Sequence, residues 1–232
     1  VILPDCNLEQ TVASMMTSFY GNAGQRCLSG ANAIVVGEDK VFYDRFVDAF
    51  VHAASQMTVG YGLDEDVQMG PLQAKSRKER VLGYIAQGVS EGASLVLDGR
   101  KTKIQGDYPD TCFLGPSVFT DVTTDMRVGR EEIFGPVACL MRAGDLEEAL
   151  EMIHRIPFGN AASLYTSNGG LARKFEYQVE AGNVGINIGI VAPMAFFPFS
   201  GMKESFFGTL HGQGKDAVRF FTETKVVIKR WF

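Results

Sequence analysis

The chain has 232 residues, 46% hydrophobic and 21% charged, enough to bury a sizeable core as one large domain or two small ones. Lys and Arg total 22 against 27 Asp and Glu, a net charge of −5, and the densest basic stretch, Lys75 to Arg80, is broken by Glu79 and reads as a solvated helix face, so nucleic acid is not an expected partner. No apolar run approaches the ~18 residues of a membrane-spanning helix, and no basic-then-apolar export signal opens the chain, so no membrane partner is expected.

Val1-Ile2-Leu3-Pro4-Asp5 opens without an initiator Met in an apolar run and reads as part of a longer protein. Asn7 and Gln10 form a capping pair, and Leu8, Val12, Met15, Met16 and Phe19 follow at helical spacing, predicting a helix from about 8 to 20. A loop, Gly21 to Gly24, then leads to Cys27. Ala31 to Val36 is β-prone and ends at Gly37. Helical periods follow over Val41 to Ala54 and Ser76 to Gly92.

Asp98 to Pro116, rich in Gly, Pro and Asp, reads as a loop or hairpin excursion. Extended runs are expected at Val118-Phe119, Val137 to Met141, Ala162 to Tyr165 and Val184 to Ile188, with helices near Leu146 to Ile156 and Leu171 to Glu180. Short buried-type strands alternating with helices predict an α/β domain with a mainly parallel sheet flanked by helices. The tail, Thr222 to Phe232, is extended and β-prone; it reads either as a plain edge strand or as an interface strand covered by another chain.

Four dispersed cysteines (Cys6, Cys27, Cys112, Cys139) without a CxxC pair argue against a disulfide framework and a zinc site, and for a reducing compartment such as bacterial cytoplasm or mitochondrial matrix. His52, His154 and His211 are isolated, so no metal is expected. Gly24-Gln25-Arg26-Cys27 sets a cysteine beside a cation and a glycine. The thiolate is the nucleophilic form, and a neighbouring positive charge favours it. Glycine gives a ligand close access to backbone donors. Those are the requirements of acyl chemistry at a carbonyl. On these four residues alone, a small buried hydrophobe is the more common reading of a lone cysteine.

Three further segments change that balance: Glu131 to Val137 (EEIFGPV), Pro157 to Thr166 (PFGNAASLYT), and Gly185 to Gly189 (GINIG) followed by Pro198 to Ser205 (PFSGMKES). In this order and at these separations, with GQRC, they resemble the aldehyde dehydrogenase superfamily over essentially the whole chain. The resemblance implies a catalytic domain over residues 1–218, an oligomerisation strand over 219–232, and an NAD-binding domain lying mostly upstream. It implies that Cys27 is the nucleophile, that its backbone N–H donates to the oxyanion, that Glu132 hydrogen-bonds the nicotinamide ribose, and that Phe134 packs at the same place. Arginine before the cysteine, with the FSGMKESFFGT segment, is most like the CoA-acylating methylmalonate-semialdehyde dehydrogenases. That branch implies Arg26 and Phe199 in substrate binding, Arg26 holding the carboxylate, and coenzyme A resolving the thioester to propanoyl- or acetyl-CoA. A hydrolytic, CoA-independent relative and a non-catalytic pairing module are the alternatives. The resemblance also implies a homo-oligomer, dimer or tetramer, and a chain that is inactive without its upstream half.

Overall fold

The computed structural model describes residues 1–108 and 112–232. In chain order the elements are α1 (Leu8–Tyr20), β1 (Asn32–Val36), α2 (Lys40–Ser55), β2 (Val59–Gly60), α3 (Lys75–Ser90), β3 (Ser94–Leu97), β4 (Ile104–Gln105), β5 (Ser117–Thr120), α4 (Arg127–Arg130) and β6 (Val137–Ala143). There follow α5 (Leu146–Arg155), β7 (Phe158–Gly159), β8 (Ala161–Leu164), α6 (Gly169–Gln178), β9 (Asn183–Ile186), β10 (Met202–Lys203) and α7 (Gly214–Phe220).

The main sheet has the order β1-β6-β5-β3. β1, β6 and β5 run parallel, while β3 closes the edge antiparallel to β5 with a register shift between Leu95 and Leu97. Val137 to Met141 of the central β6 are buried without alternation, as expected where both faces of a parallel sheet are covered. β8 and β9 form a second parallel pair. The opening residues join the two. Ile2 N–H donates to Ile34 O and Ile2 O accepts from Val36 N–H, both at 2.9 Å, while Leu3 N–H donates to Tyr165 O at 3.0 Å and Tyr165 N–H to Val1 O at 2.9 Å. The apolar run at the start is thus a short strand-like splice between β1 and β8, with Ile2 and Leu3 buried.

The helices begin where short polar side chains satisfy their first free N–H groups: Asn7 accepts from Gln10 N, Asp39 from Val41 N, Asp145 from Glu148 N, and Asn168 from Gly170 N and Leu171 N. α1 and α2 pack through an aromatic cluster, with Phe19 edge-on to Phe50 at 5.6 Å and Phe46 stacked on Phe50 at 5.7 Å. All three rings are buried, so this junction holds rigid the helix that delivers Cys27.

Of the two readings of Asp98 to Pro116, loop or hairpin, the described residues form the loop: β4 pairs in parallel with β2, and a 3₁₀ turn spans Gly99–Lys101. Pro109 to Thr111 of that loop lie outside the described residues. At the tail, α7 precedes a stretch from Thr222 to Phe232 that forms no strand ladder with the described residues. Val226, Ile228 and Trp231 are exposed there.

Candidate active site

Cys27 follows α1 because the chain reverses sharply after Tyr20. Asn22, Ala23 and Gly24 stand consecutively at φ of 53°, 53° and 68°, a left-handed run that costs roughly 1–2 kcal/mol per non-glycine residue. What holds the run is contact with the EEIFGPV loop. A Cβ on Gly24 would collide with Gly135 O and come within 2.6 Å of Gly135 C. This close approach, open only to glycine, fixes the cysteine loop against the loop that carries Glu132.

Cys27 is exposed at the wall of a cleft of roughly 620 Å³ that Glu132, Asn160, Phe199, Glu204 and Ser205 also line. Its backbone carbonyl accepts from Asn160 Nδ2 at 2.7 Å, which sets the peptide plane after the cysteine. Its own amide has no hydrogen-bond partner among the described residues, leaving a donor beside the sulfur. The Ser18 hydroxyl, buried within α1, donates to Gly189 O at 2.6 Å and accepts from Gly30 N at 3.0 Å. It ties the segment after Cys27 to the GINIG loop.

Glu131 and Glu132 are neighbours with opposite environments. Both Glu131 oxygens are taken by Arg127 at 2.9 Å, and Tyr84 OH donates to Oε2 at 2.8 Å. Those bonds from Arg127, then from Tyr84, hold its carboxyl down at about 2. The Glu132 carboxylate has no partner among the described residues and faces the cleft. Phe134 stands at φ 59° and is 37% exposed, next to the cleft lining but not part of it.

Arg26 adjoins Cys27 in the chain, but its side chain turns away from the cleft. Its guanidinium folds back on the last turn of α1, with Nη1 3.5 Å from Thr17 O and so close to Gly21 that a Cβ there would lie 2.5 Å from Nη1. A cation at a helix C-terminus meets unpaired carbonyls and the negative end of the dipole. Arg26 does not line the cleft. Phe199 does, and its N–H donates to Gly212 O at 2.6 Å.

Two residues of this site were missed in the sequence. Asn160 lay within a quoted motif but carried no signal that it bonds a residue 133 positions away. Lys203 is the other. Its Nζ donates to Ile153 O, His154 O and Ile156 O at 3.0–3.1 Å, taking up the end carbonyls of α5, and pairs with Glu180 at 3.5 Å. With β10 paired to β7 and Ser205 Oγ accepting from Gly159 N at 3.1 Å, this fastens the Phe199 to Ser205 wall beside Asn160. Of the remaining cysteines, Cys139 is fully buried, and burial pushes its thiol up to about 12. Among the described residues no group of His, Cys, Asp and Glu could hold a metal ion, and no helix is long and apolar enough to cross a membrane.

The geometry stands beside close relatives. The malonate-semialdehyde dehydrogenase 1 of Geobacillus kaustophilus (strain HTA426) is 44% identical over 231 residues, covering 100% of this chain and 46% of that protein. The crystal structure of methylmalonate-semialdehyde dehydrogenase from Oceanimonas doudoroffii superposes with a TM-score of 0.95 at 34% identity, over 99% of this chain and 46% of that one. A provisionally named methylmalonate-semialdehyde dehydrogenase from Sinorhizobium meliloti 1021, complexed with NAD, gives 0.94 at 39% identity, over 99% and 46%. The chain thus spans about half the length of the curated relatives it matches. Residues 1–227 match the aldehyde dehydrogenase family, and the chain belongs to it.

Proposed function

We propose that this chain carries the nucleophile of an NAD-dependent, CoA-acylating dehydrogenase of malonate or methylmalonate semialdehyde. The observation that carries the reading is the cleft itself, lined both by an exposed cysteine and by a carboxylate, Glu132, where neither the cysteine amide nor the carboxylate has a partner among the described residues. The Cys27 thiolate adds to the aldehyde carbon, and the free Cys27 N–H donates to the oxygen that becomes an oxyanion. Asn160 keeps that amide and the sulfur in register by holding the Cys27 carbonyl. NAD, when bound, accepts the hydride from the thiohemiacetal carbon, leaving a thioester on Cys27.

Glu132 fits the ribose of that cofactor, because a free carboxylate accepts from two vicinal hydroxyls, whereas both Glu131 oxygens are already engaged by Arg127. Phe134 packs beside it. The substrate carboxylate leaves as carbon dioxide with uptake of one proton from solvent at the α-carbon, and attack by the coenzyme A thiolate then frees Cys27 as the thiolate and gives acetyl- or propanoyl-CoA. Phe199 contributes an apolar wall to the substrate. Arg26 would reach the substrate carboxylate only by leaving the carbonyl of Thr17, so its part in recognition requires a change of rotamer. The enzyme acts in a reducing compartment as a homo-oligomer; the expected oligomerisation segment 219–232 begins with the last turn of α7, and its extended part, Thr222 to Phe232, contributes the strand.

The test is NADH production from methylmalonate semialdehyde by the protein that carries this chain, with and without coenzyme A. CoA-dependent turnover yielding an acyl-CoA, abolished in Cys27→Ala, is the expected result. Equal turnover without CoA would keep Cys27 and replace the acyl acceptor by water; turnover retained in Cys27→Ala would refute the nucleophile.

A further inference from the structure

Lys75 to Arg80 read as a solvated helix face, but Arg80 leaves that face. Its guanidinium donates to two successive carbonyls of the EEIFGPV loop, Nη1 to Ile133 O at 2.5 Å and Nη2 to Glu132 O at 2.7 Å. It lies over the ring of Tyr84, one turn along α3, at 5.0 Å from the centroid. Tyr84 in turn donates to Glu131, which Arg127 holds from the other side. α3 therefore holds the Glu131 carboxylate and the Glu132 and Ile133 carbonyls, and leaves the Glu132 carboxylate untouched.

The next residue, Phe134, stands at φ 59°, a conformation a bulky side chain holds only where its surroundings over-determine it. Gly24 packed against Gly135 constrains the loop after Phe134, and Arg80 constrains the two carbonyls before it. A planar fork with paired donors can span two adjacent carbonyls in a way that an ammonium cannot.

We propose that Arg80 is a positioning residue for cofactor binding: by fixing the Glu132 and Ile133 carbonyls it keeps the strained loop in the one conformation that presents the Glu132 carboxylate to the cleft. The proposal rests on the reading of Glu132 as the ribose ligand. It separates the two halves of the site, because Arg80 acts on the Glu132 side and has no contact with Cys27.

The test compares Arg80→Met, Arg80→Lys, Glu132→Ala and the Arg80→Met/Glu132→Ala double variant in the protein that carries this chain. Equilibrium NAD binding and aldehyde kinetics are the functional readouts. Amide exchange without NAD, at the hydrogen-bonded N–H groups bracketing the loop, is the structural one; these are Glu131 to Arg127 O and Val137 to Gly135 O. Arg80→Met is expected to weaken NAD binding about tenfold and speed both exchanges about tenfold, with aldehyde KM unchanged within about twofold. Arg80→Lys should weaken NAD nearly as much at an unaltered melting temperature, and the double variant should bind NAD no worse than Glu132→Ala alone. Additive losses, wild-type NAD affinity in Arg80→Lys, or unaltered exchange in Arg80→Met would overturn the positioning role. No NAD binding by the unsubstituted protein would overturn the functional reading and the cofactor role with it.

Discussion

Gly24→Ala is the substitution whose cost follows most directly from the structure. At φ 68° an alanine pays roughly 1–2 kcal/mol for left-handed backbone before any contact is counted. Its Cβ would then collide with Gly135 O and lie 2.6 Å from Gly135 C and 3.0 Å from Phe19 O. All three are backbone atoms, so no side chain can swing aside. Gly135 O also accepts from Val137 N at 2.8 Å at the entry to β6, so pushing it away loosens that bond too. Overpacking of this kind adds about 1–3 kcal/mol. The combined loss of about 2–5 kcal/mol corresponds to a melting temperature lowered by roughly 5–15 °C for a chain of this size. Thermal unfolding followed by circular dichroism measures it. Gly83→Ala is the internal comparison: Gly83 lies inside α3 with nothing within 4 Å of its would-be Cβ, so alanine should raise stability by about 0.8–1 kcal/mol. If Gly24→Ala melts within about 2 °C of the unsubstituted protein, the packing of the cysteine loop on the EEIFGPV loop is not what holds this region.

Asn160→Ala removes the bond to the Cys27 carbonyl and should lower kcat/KM about tenfold while costing only ~0.5–1.5 kcal/mol of stability; steady-state kinetics beside a melting curve tests this, and unaltered kcat/KM would refute the orienting role. Peptide-resolved alkylation with iodoacetamide near neutral pH should modify exposed Cys27 and leave Cys139 untouched, since its thiol is buried and pushed up to about 12; modification of Cys139 at a comparable rate would contradict the buried packing. The Glu131 carboxyl, held at about 2 by Arg127 and Tyr84 against an ordinary 4.5, stabilises the fold above pH ~4.5, and that contribution disappears as pH falls through the folded-state value. A carboxyl NMR titration should place Glu131 far below the ordinary carboxylate range, and Arg127→Met should raise it; a midpoint near 4.5 in the unsubstituted protein would contradict the bidentate pairing.

The elements that came out of the sequence are those governed by local rules. The stripe of Val12, Met15 and Phe19 with the Asn7 cap located α1, and the uninterrupted apolar run of Val137 to Met141 located a central strand. Within the excursion from Asp98, the pairing of β4 with β2 was not legible, because it joins residues more than forty apart and only two residues of each strand take part. The tail is a different case. β-propensity says that a segment suits a pleated ladder, but whether a ladder forms depends on a partner edge, and none among the described residues pairs with Thr222 to Phe232.

At the site the division is sharper. Which residues could do chemistry was legible in the sequence, since Cys27, Glu132, Phe134 and Phe199 sit in ordered motifs whose family resemblance the comparison with known proteins bears out. Where their side chains go was not. Arg26 adjoins Cys27 in the chain yet turns to the carbonyls of α1, because successive side chains after a left-handed turn diverge. Asn160 reaches Cys27 from 133 residues away, and Arg80 reaches Glu132 from 52. By itself the sequence determined the α/β class and the family and marked the candidate reactive residues, because helical period, capping and motif order are local properties of the chain. The tertiary structure alone decided which of the two carboxylates is without a partner among the described residues, which arginine bonds the EEIFGPV loop and which asparagine bonds the Cys27 carbonyl, because each depends on how distant groups are brought within about 3 Å of one another.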